Sequence, residues 1–439
     1  MFGKANKASI EKPGSNFMEE KFLPIAARIG SQRHLLALRD GIVMIMPLLI
    51  LGAFSMIIAE FPSDAYLNFM ANTFGENWAA FEGIIMNATY GIVALVACFG
   101  VASSLVKSYD LDGTPAGMIA LSAFFIVNVI ETAVINGEET AVWAAGTFTA
   151  EYLFTALVTA LAVGELYRLL VQKKFVITLP KSVPSAVSRQ FTALLPGVVI
   201  MLVFLVVHAI FAMTPWGNFP QFMSDVVSIP LRGFGTSYVG TLLAVLSEHF
   251  LWSLGLHGSS IIIFPIFEPM WIVNLQENLN GAHHILTQPF YENGVWIGGS
   301  GATLPVVIYM LVFAKSRLLK QVGRIGIVPG LFNINEPVTF GLPVVLNPFL
   351  MIPYIATPAI VMTVQYLGTA IGLFPYCNYM VPWTTPFLIS GFLMTQSIMG
   401  VIAQLVSFAV AFVIWLPFIR IWDARNYKME LEDTSEAAA

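Results

Sequence analysis

The amino-acid sequence predicts an all-α polytopic membrane protein with about ten transmembrane helices. Its composition is the first observation: 57% of the 439 residues are apolar and 11% are charged, whereas ordinary soluble domains carry roughly 25% charged residues. The second observation is a series of long uncharged segments, and the third is the alternation of basic and acidic loops between them. The net charge of −5 and the small number of basic residues argue against a nucleic-acid partner.

The first predicted span is Gly41–Ala59, which contains 19 residues and no charge. At ~1.5 Å of rise per residue, such a helix is nearly as long as the ~30 Å hydrocarbon core of a bilayer. A sixth span, Tyr238–Leu256, lies in the second half of the chain. The four spans between them are Gly83–Val106, Ala116–Ile130, Ala150–Leu166 and Leu194–Met213.

The charges between the spans predict the orientation of the chain. An acidic stretch without Lys or Arg follows the first span, and the second span returns to Lys107. The chain ends in a basic cluster and an acidic tail, Glu430–Glu436, which we expect to be disordered. By the positive-inside rule both termini are cytoplasmic, so the number of crossings is even, and about ten fits. The basic residues that precede the first span are Lys4, Lys7, Lys12, Lys21, Arg28, Arg33 and Arg39.

Two connectors are basic and contain no acidic residue, so both are predicted to be cytoplasmic. Within the first connector, Val183–Leu195 is either an amphipathic helix in the membrane interface or an ordinary loop. We divide the chain into a half of plain hydrophobic helices, residues 1–213, and a half that Gly, Pro and Asn interrupt at membrane depth, residues 214–439. The basic residues of the connectors are Arg168, Lys173, Lys174, Lys181 and Arg189, and then Lys315, Arg317, Lys320 and Arg324.

Glu336 is the only charged residue among residues 325–419. A lone carboxylate in a membrane segment costs roughly 2.5–3.5 kcal/mol on insertion scales, and such residues usually line a substrate or ion pathway. Pro337 and Pro343 each remove a backbone donor, and Gly330 and Gly341 permit tight turns, so this stretch is not one regular helix. Transporter sites are often built from such broken backbone. The alternative is a structural carboxylate that bonds free backbone amides at a helix end.

His257 lies between glycines and small hydroxyl residues, which lets a ligand approach the backbone closely. The usual role of a lone histidine is structural, but this setting favours a functional one. His249 and His257 lack the spacing of a metal-binding pair, and Cys98 and Cys377 lie far apart in apolar segments. We therefore expect no metal site, disulfide framework or cofactor. Trp383 is either an interfacial belt residue, which the sequence alone favours, or a platform on which a ring stacks.

Three motifs and one connector resemble those of the membrane-embedded IIC component of bacterial sugar phosphotransferase systems, in particular its lactose, cellobiose and diacetylchitobiose branch. The likeness covers residues 20–425. The motif around Glu336 is specific, whereas the glycine-rich motif alone is weak. The segments are GLFNINEPVTFGLPVVLNP around Asn335-Glu336-Pro337, GLHG at 255–258, GGSGATL at 298–304 and ITLPKSVPSAVSRQFTALLPG at 177–197.

The resemblance implies a homodimer in the bacterial cytoplasmic membrane. The first half would make the dimer contact, and the second half would carry two re-entrant hairpins and bind a β-linked disaccharide. Glu336 and His257 would hydrogen-bond sugar hydroxyls, and Trp383 would stack on a sugar ring. Glu336 is also a candidate base, and His257 a candidate catalytic residue. The remaining residues that the resemblance assigns to the pocket are Asn335, Asn136 and Gly137.

In such systems a separate cytoplasmic IIB protein donates the phosphoryl group. Neither Cys98 nor Cys377 is a credible donor, because both lie in apolar segments where a thiolate is disfavoured. The two basic connectors are candidate docking surfaces for the donor, or they only set the topology. The leading hypothesis is thus a group-translocating permease that carries no phosphoryl donor of its own. The alternative is a proton-coupled secondary sugar carrier that uses Glu336. An enzyme acting on lipid-linked sugars is disfavoured, because the paired acidic motifs that hold a metal are absent from the sequence.

Overall fold

The structure is a computed structural model that describes residues 23–180, 183 and 185–436. Its first half consists of apolar helices with one small β-hairpin between them. Short 3₁₀ turns at Trp78–Ala80, Tyr90–Ile92, Ala145–Phe148 and Ala150–Tyr152 link or extend the helices. The elements are α1 (Leu23–Gly30), α2 (Arg33–Ala59), α3 (Asp64–Phe74), α4 (Phe81–Ala88), α5 (Val93–Lys107), α6 (Gly113–Val127), β1 (Glu131–Ile135), β2 (Glu138–Val142), α7 (Leu153–Gln172) and α8 (Ser185–Ala212).

The second half is more broken, as its Gly, Pro and Asn residues predict. Three π-helical segments, Met223–Ser228, Ser259–Phe267 and Phe290–Val295, interrupt it, and such segments often occur at functional sites. Its α-helices are α9 (Phe219–Phe222), α10 (Ile229–Gly235), α11 (Tyr238–Ser253), α12 (Glu268–Leu279), α13 (Leu304–Val312), α14 (Arg317–Leu331), α15 (Glu336–Gly341), α16 (Pro348–Ala370), α17 (Ile389–Thr395) and α18 (Ile398–Glu436).

The described part of the chain contains seven helices that are long and apolar enough to cross a membrane. An eighth candidate is the pair Phe219–Gly235 and Tyr238–Ser253, bent by 73° as in a broken span or a re-entrant loop. The apolar helix α6 is shorter than these, at 15 residues. The predicted helical membrane protein is therefore confirmed, whereas the count of ten spans and the two re-entrant hairpins stay predictions.

The prediction of an all-α fold is wrong at one place, where β1 and β2 pair as an antiparallel hairpin. Asn136 and Gly137 form its two-residue turn, and both have positive φ angles, 54° and 87°. An Asn-Gly dipeptide between segments that contain β-branched residues is a strong local signal for such a hairpin. The hairpin was not predicted, because its segment is acidic and differs from the uncharged spans that indicate transmembrane helices.

The helix that contains the first predicted span begins at Arg33, eight residues earlier than expected. Its charged first turns are stabilised locally: Gln32 accepts a hydrogen bond from the backbone of Leu35, and Arg39 pairs with Asp40 at 2.6 Å. Asp40 also accepts a hydrogen bond from Ser104 of α5. Paired charges can thus extend a helix beyond its uncharged segment.

The segment predicted as an amphipathic helix or a loop, Val183–Leu195, is helical from Ser185 and continues without a break into α8. The helical alternative is thus right for the backbone, but the helix is not separate from the fifth span. Pro196 lies inside α8. Lys181 and the first 22 residues lie outside the described residues, and so does the side chain of Arg189.

One apolar core contains side chains from both halves of the chain. In the first half α5 packs against α2, α6 and α7. Gly100 of α5 lies so close to α2 that a β-carbon there would be 3.2 Å from the Cα of Gly41, which explains the small residues at this crossing. In the second half α18 packs against α13, α16 and α17, and α2 also contacts the π-helical segment Ser259–Phe267. Helix α2 of the first half thereby lies against the broken segments of the second half.

The acidic tail predicted to be disordered is helical through Glu436, as the end of α18. Two carboxylates of α18 explain why, one in the tail and one before it. Glu430 accepts hydrogen bonds from the backbone amides of Arg317 and Leu318, and Asp423 accepts them from Lys315 and Ser316. These acceptors satisfy amides at the beginning of α14 that would otherwise lack a partner. Tertiary contacts therefore order a segment whose composition alone suggests disorder.

Candidate functional site

A cavity of about 420 Å³ lies between α2 and the broken segments of the second half. Five stretches of the chain line it, and most of its charged and polar residues come from the second half. Met46 and Pro47 of α2 form part of its apolar wall. The polar and aromatic residues that line it include Trp252, His257, Ser259, Glu268, Glu292, Trp296, Ser300, Asn333, Asn335, Glu336 and Trp383.

The segment between α14 and α15 is held by its two asparagines. Asn333 accepts a hydrogen bond from the backbone of Gly298 at 2.9 Å and donates one to the carbonyl of Trp383 at 2.6 Å. Asn335 donates to the Thr303 hydroxyl at 3.1 Å and to the carbonyl of Ser300. Both asparagines are buried. The two amides thus fix three separate stretches of chain around the cavity.

The glycine-rich motif at 298–304 makes this close approach possible. Gly298, Gly299 and Gly301 all have φ angles between 80° and 92°, a region that side chains rarely adopt. A β-carbon on Gly299 would lie 2.6 Å from the carbonyl oxygen of Asn333. The motif therefore allows the loop to pack against the backbone around Asn333.

Glu336 is the first residue of the short helix α15, and its side chain is exposed toward the cavity. Among the described residues, no side chain or backbone group hydrogen-bonds its carboxylate at ordinary distance. The alternative of a structural carboxylate that bonds free amides therefore finds no support in this geometry. The carboxylate is available to accept hydrogen bonds from a ligand.

His257 lines the same cavity. Its Nδ1 accepts a hydrogen bond from the backbone amide of Ser260 at 3.2 Å. Because a backbone amide only donates, Nδ1 is the unprotonated nitrogen, and a neutral ring carries its proton on Nε2. His257 is therefore set up to donate a hydrogen bond rather than to accept a proton.

A buried chain of hydrogen bonds supports the position of His257. The rings of Trp252 and His257 are 4.3 Å apart, and the Trp252 indole donates to the Ser259 hydroxyl at 3.2 Å. Ser259 in turn donates to Glu248 at 2.5 Å, and the Tyr291 hydroxyl donates to the other carboxylate oxygen of Glu248. Glu248 therefore anchors Trp252, against which the imidazole packs.

Comparison with known proteins identifies the family. The family model described as "Phosphotransferase system, EIIC" matches residues 39–358, which is most of the chain. The chain belongs to the phosphotransferase system EIIC family. It is the membrane-embedded permease component of a sugar phosphotransferase system, and the resemblance inferred from the Asn-Glu-Pro motif is confirmed.

Named relatives are similar to the permease over nearly its whole length. It is 40% identical to the PTS system cellobiose-specific EIIC component of Geobacillus stearothermophilus, over 95% of this chain and 96% of the relative. It is 36% identical to the oligo-beta-mannoside-specific EIIC component of Bacillus subtilis, over 95% and 96%. The crystal structure of ChbC, the IIC component of an N,N'-diacetylchitobiose-specific phosphotransferase system, superposes with a TM-score of 0.90 at 39% identity, covering 94% of this chain and 99% of that one. None of these matches supports the alternative of a proton-coupled secondary carrier.

Four of the six predicted site residues of the permease line one cavity: Glu336, His257, Asn335 and Trp383. Asn136 and Gly137 do not, because they form the exposed turn of the β-hairpin, and neither contributes to the cavity within this chain. Their predicted role in a sugar-binding pocket stays a prediction, and the structure of an assembly of several chains is needed to test it. Trp383 is 39% exposed at the cavity, and Asn333 holds its backbone.

Among the polar residues that line the cavity of the permease, Asn333, Glu268 and Glu292 were not predicted as site residues. Asn333 was part of the quoted motif, but its role depends on Gly298 and Trp383, which are distant in sequence. Glu268 and Glu292 are charged residues in an apolar half, so the argument that found Glu336 applies to them as well. They are less conspicuous than Glu336, because Glu277 lies between them in the sequence.

Both cysteines of the permease are buried, with exposed fractions of 0% for Cys98 and 6% for Cys377. The thiol of Cys98 donates to the carbonyl of Ala120 in the helix α6. Neither sulfur lines the cavity. The two thiols are therefore packed as small apolar groups inside the protein.

Proposed function

We propose that the permease binds a β-linked disaccharide of the cellobiose, diacetylchitobiose or lactose type and translocates it for phosphorylation by a separate IIB protein. The names of its relatives support this substrate class, since they specify cellobiose, oligo-beta-mannosides and N,N'-diacetylchitobiose. A lactose-specific relative from Lacticaseibacillus casei is 28% identical.

The observation that carries the proposal is the meeting of Glu336, His257 and Trp383 at one cavity. A disaccharide needs hydrogen-bond partners for many hydroxyls and an apolar surface for the face of each ring. Glu336 accepts, the Nε2 of His257 donates, and Trp383 offers a partly exposed indole. The volume of about 420 Å³ falls in the range typical of small-molecule sites.

A separate donor fits the chemistry of this chain. A phosphocysteine donor must reach the sugar from the cytoplasm, and both thiols here are buried away from the cavity. The basic residues of the second connector, at the beginning of α14, offer a positively charged surface for a phosphorylated protein. Asp423 and Glu430 hold the backbone of this connector in place.

The proposal is tested by adding radiolabelled cellobiose, N,N'-diacetylchitobiose or lactose outside proteoliposomes whose lumen contains or lacks a phosphorylated IIB protein. We expect phosphorylated sugar to appear inside only when the phosphorylated partner is present. Accumulation of unmodified sugar driven by a pH gradient would contradict group translocation. Failure to bind or transport any β-linked disaccharide would contradict the substrate class.

Replacing Trp383 by Ala is expected to weaken disaccharide binding by ~1–3 kcal/mol, which is the usual size of a lost aromatic contact. Isothermal titration calorimetry on the purified permease measures this change. Trp143 is a matched control, because it is also 39% exposed but packs against Phe125 beside the β-hairpin. Equal affinities of wild type and Trp383→Ala would instead assign Trp383 to the interfacial belt.

We also propose that the permease is a homodimer in the cytoplasmic membrane, with residues 1–213 at the contact and both termini in the cytoplasm. An open apolar groove between α6 and α8, lined by Met118, Leu194 and Val198, supports a contact in this half. Native mass spectrometry from mild detergent and crosslinking in native membranes should both detect dimers. Monomers in both experiments would refute the assembly, and protease access to the C-terminus only from outside the cell would refute the orientation.

A further inference from the structure

Two carboxyl groups on the cavity have no part in the function proposed so far. Glu268 is the first residue of α12, and Glu292 lies in the π-helical segment Phe290–Val295. Both line the cavity, and each side chain is only 1% exposed. Buried ionisable groups at membrane depth are costly and are usually functional.

The hydrogen-bonding capacity of this pair is only partly used. Gln288 donates to one oxygen of Glu268 at 2.6 Å. Within the described part of the chain, the second oxygen of Glu268 and one oxygen of Glu292 have no hydrogen-bond partner. No described Lys, Arg or His forms an ion pair with either residue. The structure therefore leaves unpartnered acceptor oxygens on two residues that line the cavity.

The two carboxyl groups line the same cavity. Each carboxyl oxygen can accept hydrogen bonds, and a carboxyl group that carries a proton also offers an O–H donor. Sugar hydroxyls also donate and accept, so they match this pair better than a purely anionic or cationic ligand does.

We propose that Glu268 and Glu292, with Gln288 behind them, form a second polar subsite of the cavity that hydrogen-bonds sugar-ring hydroxyls in addition to those bound by Glu336 and His257. This inference rests on the proposed function, because it concerns the same substrate. It assigns binding roles to two residues whose burial no ion pair with a described cation explains. Sugar hydroxyls lose their hydrogen bonds to water when they enter the cavity. Hydrogen bonds to these two carboxyl groups replace them.

The test compares the purified wild-type permease with Glu268→Gln and Glu292→Gln by calorimetry. The probe is whichever of cellobiose, N,N'-diacetylchitobiose and lactose binds the wild type most tightly, together with its monodeoxy analogues. We expect each variant to bind the parent sugar at least tenfold more weakly, about 1.4 kcal/mol. One monodeoxy analogue lacks the hydroxyl that the replaced carboxyl group bonds. We expect wild type to bind this analogue more weakly than the parent sugar, and the variant to bind it about as well as wild type does.

A merely structural role predicts a different pattern, in which a variant weakens the parent sugar and every analogue by the same factor. That pattern, or unchanged affinity for the parent sugar in both variants, overturns the inference. Glu277→Gln is the control on the same helix, because Glu277 pairs with Arg232 and does not line the cavity. If a glutamine variant does not fold, Glu268→Asp and Glu292→Asp ask the same question with a shorter carboxyl.

The two proposals can fail separately. If the wild type binds a β-linked disaccharide and IIB phosphorylates it, but the analogue pattern does not differ between wild type and variants, only the second subsite is refuted. If the wild type binds none of the three disaccharides, the proposed substrate class fails first, and the subsite fails with it.

Discussion

Replacing Glu336 by Gln should produce the largest loss of function of any single isosteric substitution in this permease. Hydrogen bonds to a charged acceptor are roughly twice as strong as neutral ones, and we expect a loss of at least ~1.5–3 kcal/mol in disaccharide binding. Folding should be retained, because no described residue depends on this carboxylate and the amide is less costly to bury. Calorimetry measures the binding, and size-exclusion chromatography with thermal unfolding measures the fold.

The same variant separates two roles of Glu336 when turnover is measured at saturating sugar. If Glu336 also takes the proton of the hydroxyl that is phosphorylated, the rate with phosphorylated IIB falls even when the site is full. His257 is poorly placed for that task, because its Nδ1 already accepts from the Ser260 amide and its Nε2 carries the proton. Weaker binding with a normal saturated rate would restrict Glu336 to orienting the sugar. Normal binding together with a normal rate would remove Glu336 from the site altogether.

Replacing Asn333 should damage both the fold and the site, although Asn333 need not touch the substrate. Its side chain bonds the backbone of Gly298 and of Trp383, and its φ angle is 61°. Loss of two buried hydrogen bonds costs roughly 2–6 kcal/mol, since each partner is left unsatisfied. Asn333→Gly adopts the left-handed backbone without steric strain, so it should lose the hydrogen bonds and only a small entropic contribution besides.

Asn333→Ala also tests the contribution of the left-handed backbone conformation at this position. A left-handed residue with a β-carbon costs ~1–2 kcal/mol, part of which is offset because Gly loses more entropy on folding. We therefore expect the alanine variant to unfold at a lower temperature than the glycine variant, and both at a lower temperature than wild type. The distorted backbone of Trp383 should weaken sugar binding in both. Equal stability of all three proteins would show that Asn333 does not hold the site together.

The sequence predicted those features that depend on local composition or on a motif. Uncharged segments located most of the long helices, and helix breakers around a lone charge predicted the irregular backbone at Glu336. The start of α2 was not predicted, because its charged first turns are stabilised by local pairing and by Ser104 of α5, which uncharged spans do not indicate. The helical end of α18 was not predicted, because Glu430 bonds backbone amides that are distant in sequence. The β-hairpin was predictable from Asn136 and Gly137, although its acidic strands do not have the composition of a membrane span.

The candidate site also combines features that a local motif predicts with features that depend on contacts between distant segments. Glu336 stood out because its surroundings contain no other charge, and the resemblance supplied the roles of Asn335, His257 and Trp383. Composition does not show that Asn333 bonds the backbone of two other segments, nor that α2 provides an apolar wall. Such contacts between distant segments decide the shape of the cavity, and the sequence alone predicts only which residues are candidates to line it.

The distribution of the cavity walls along the chain has a consequence for biosynthesis. The walls begin at Val43, in the first long helix, and end at Thr384, shortly before the last one. Because the N-terminal part of a chain emerges first during synthesis, the ribosome must translate most of this protein before the cavity can close. A nascent chain that stalls before residue 382 would hold inserted helices and exposed polar groups but no complete cavity.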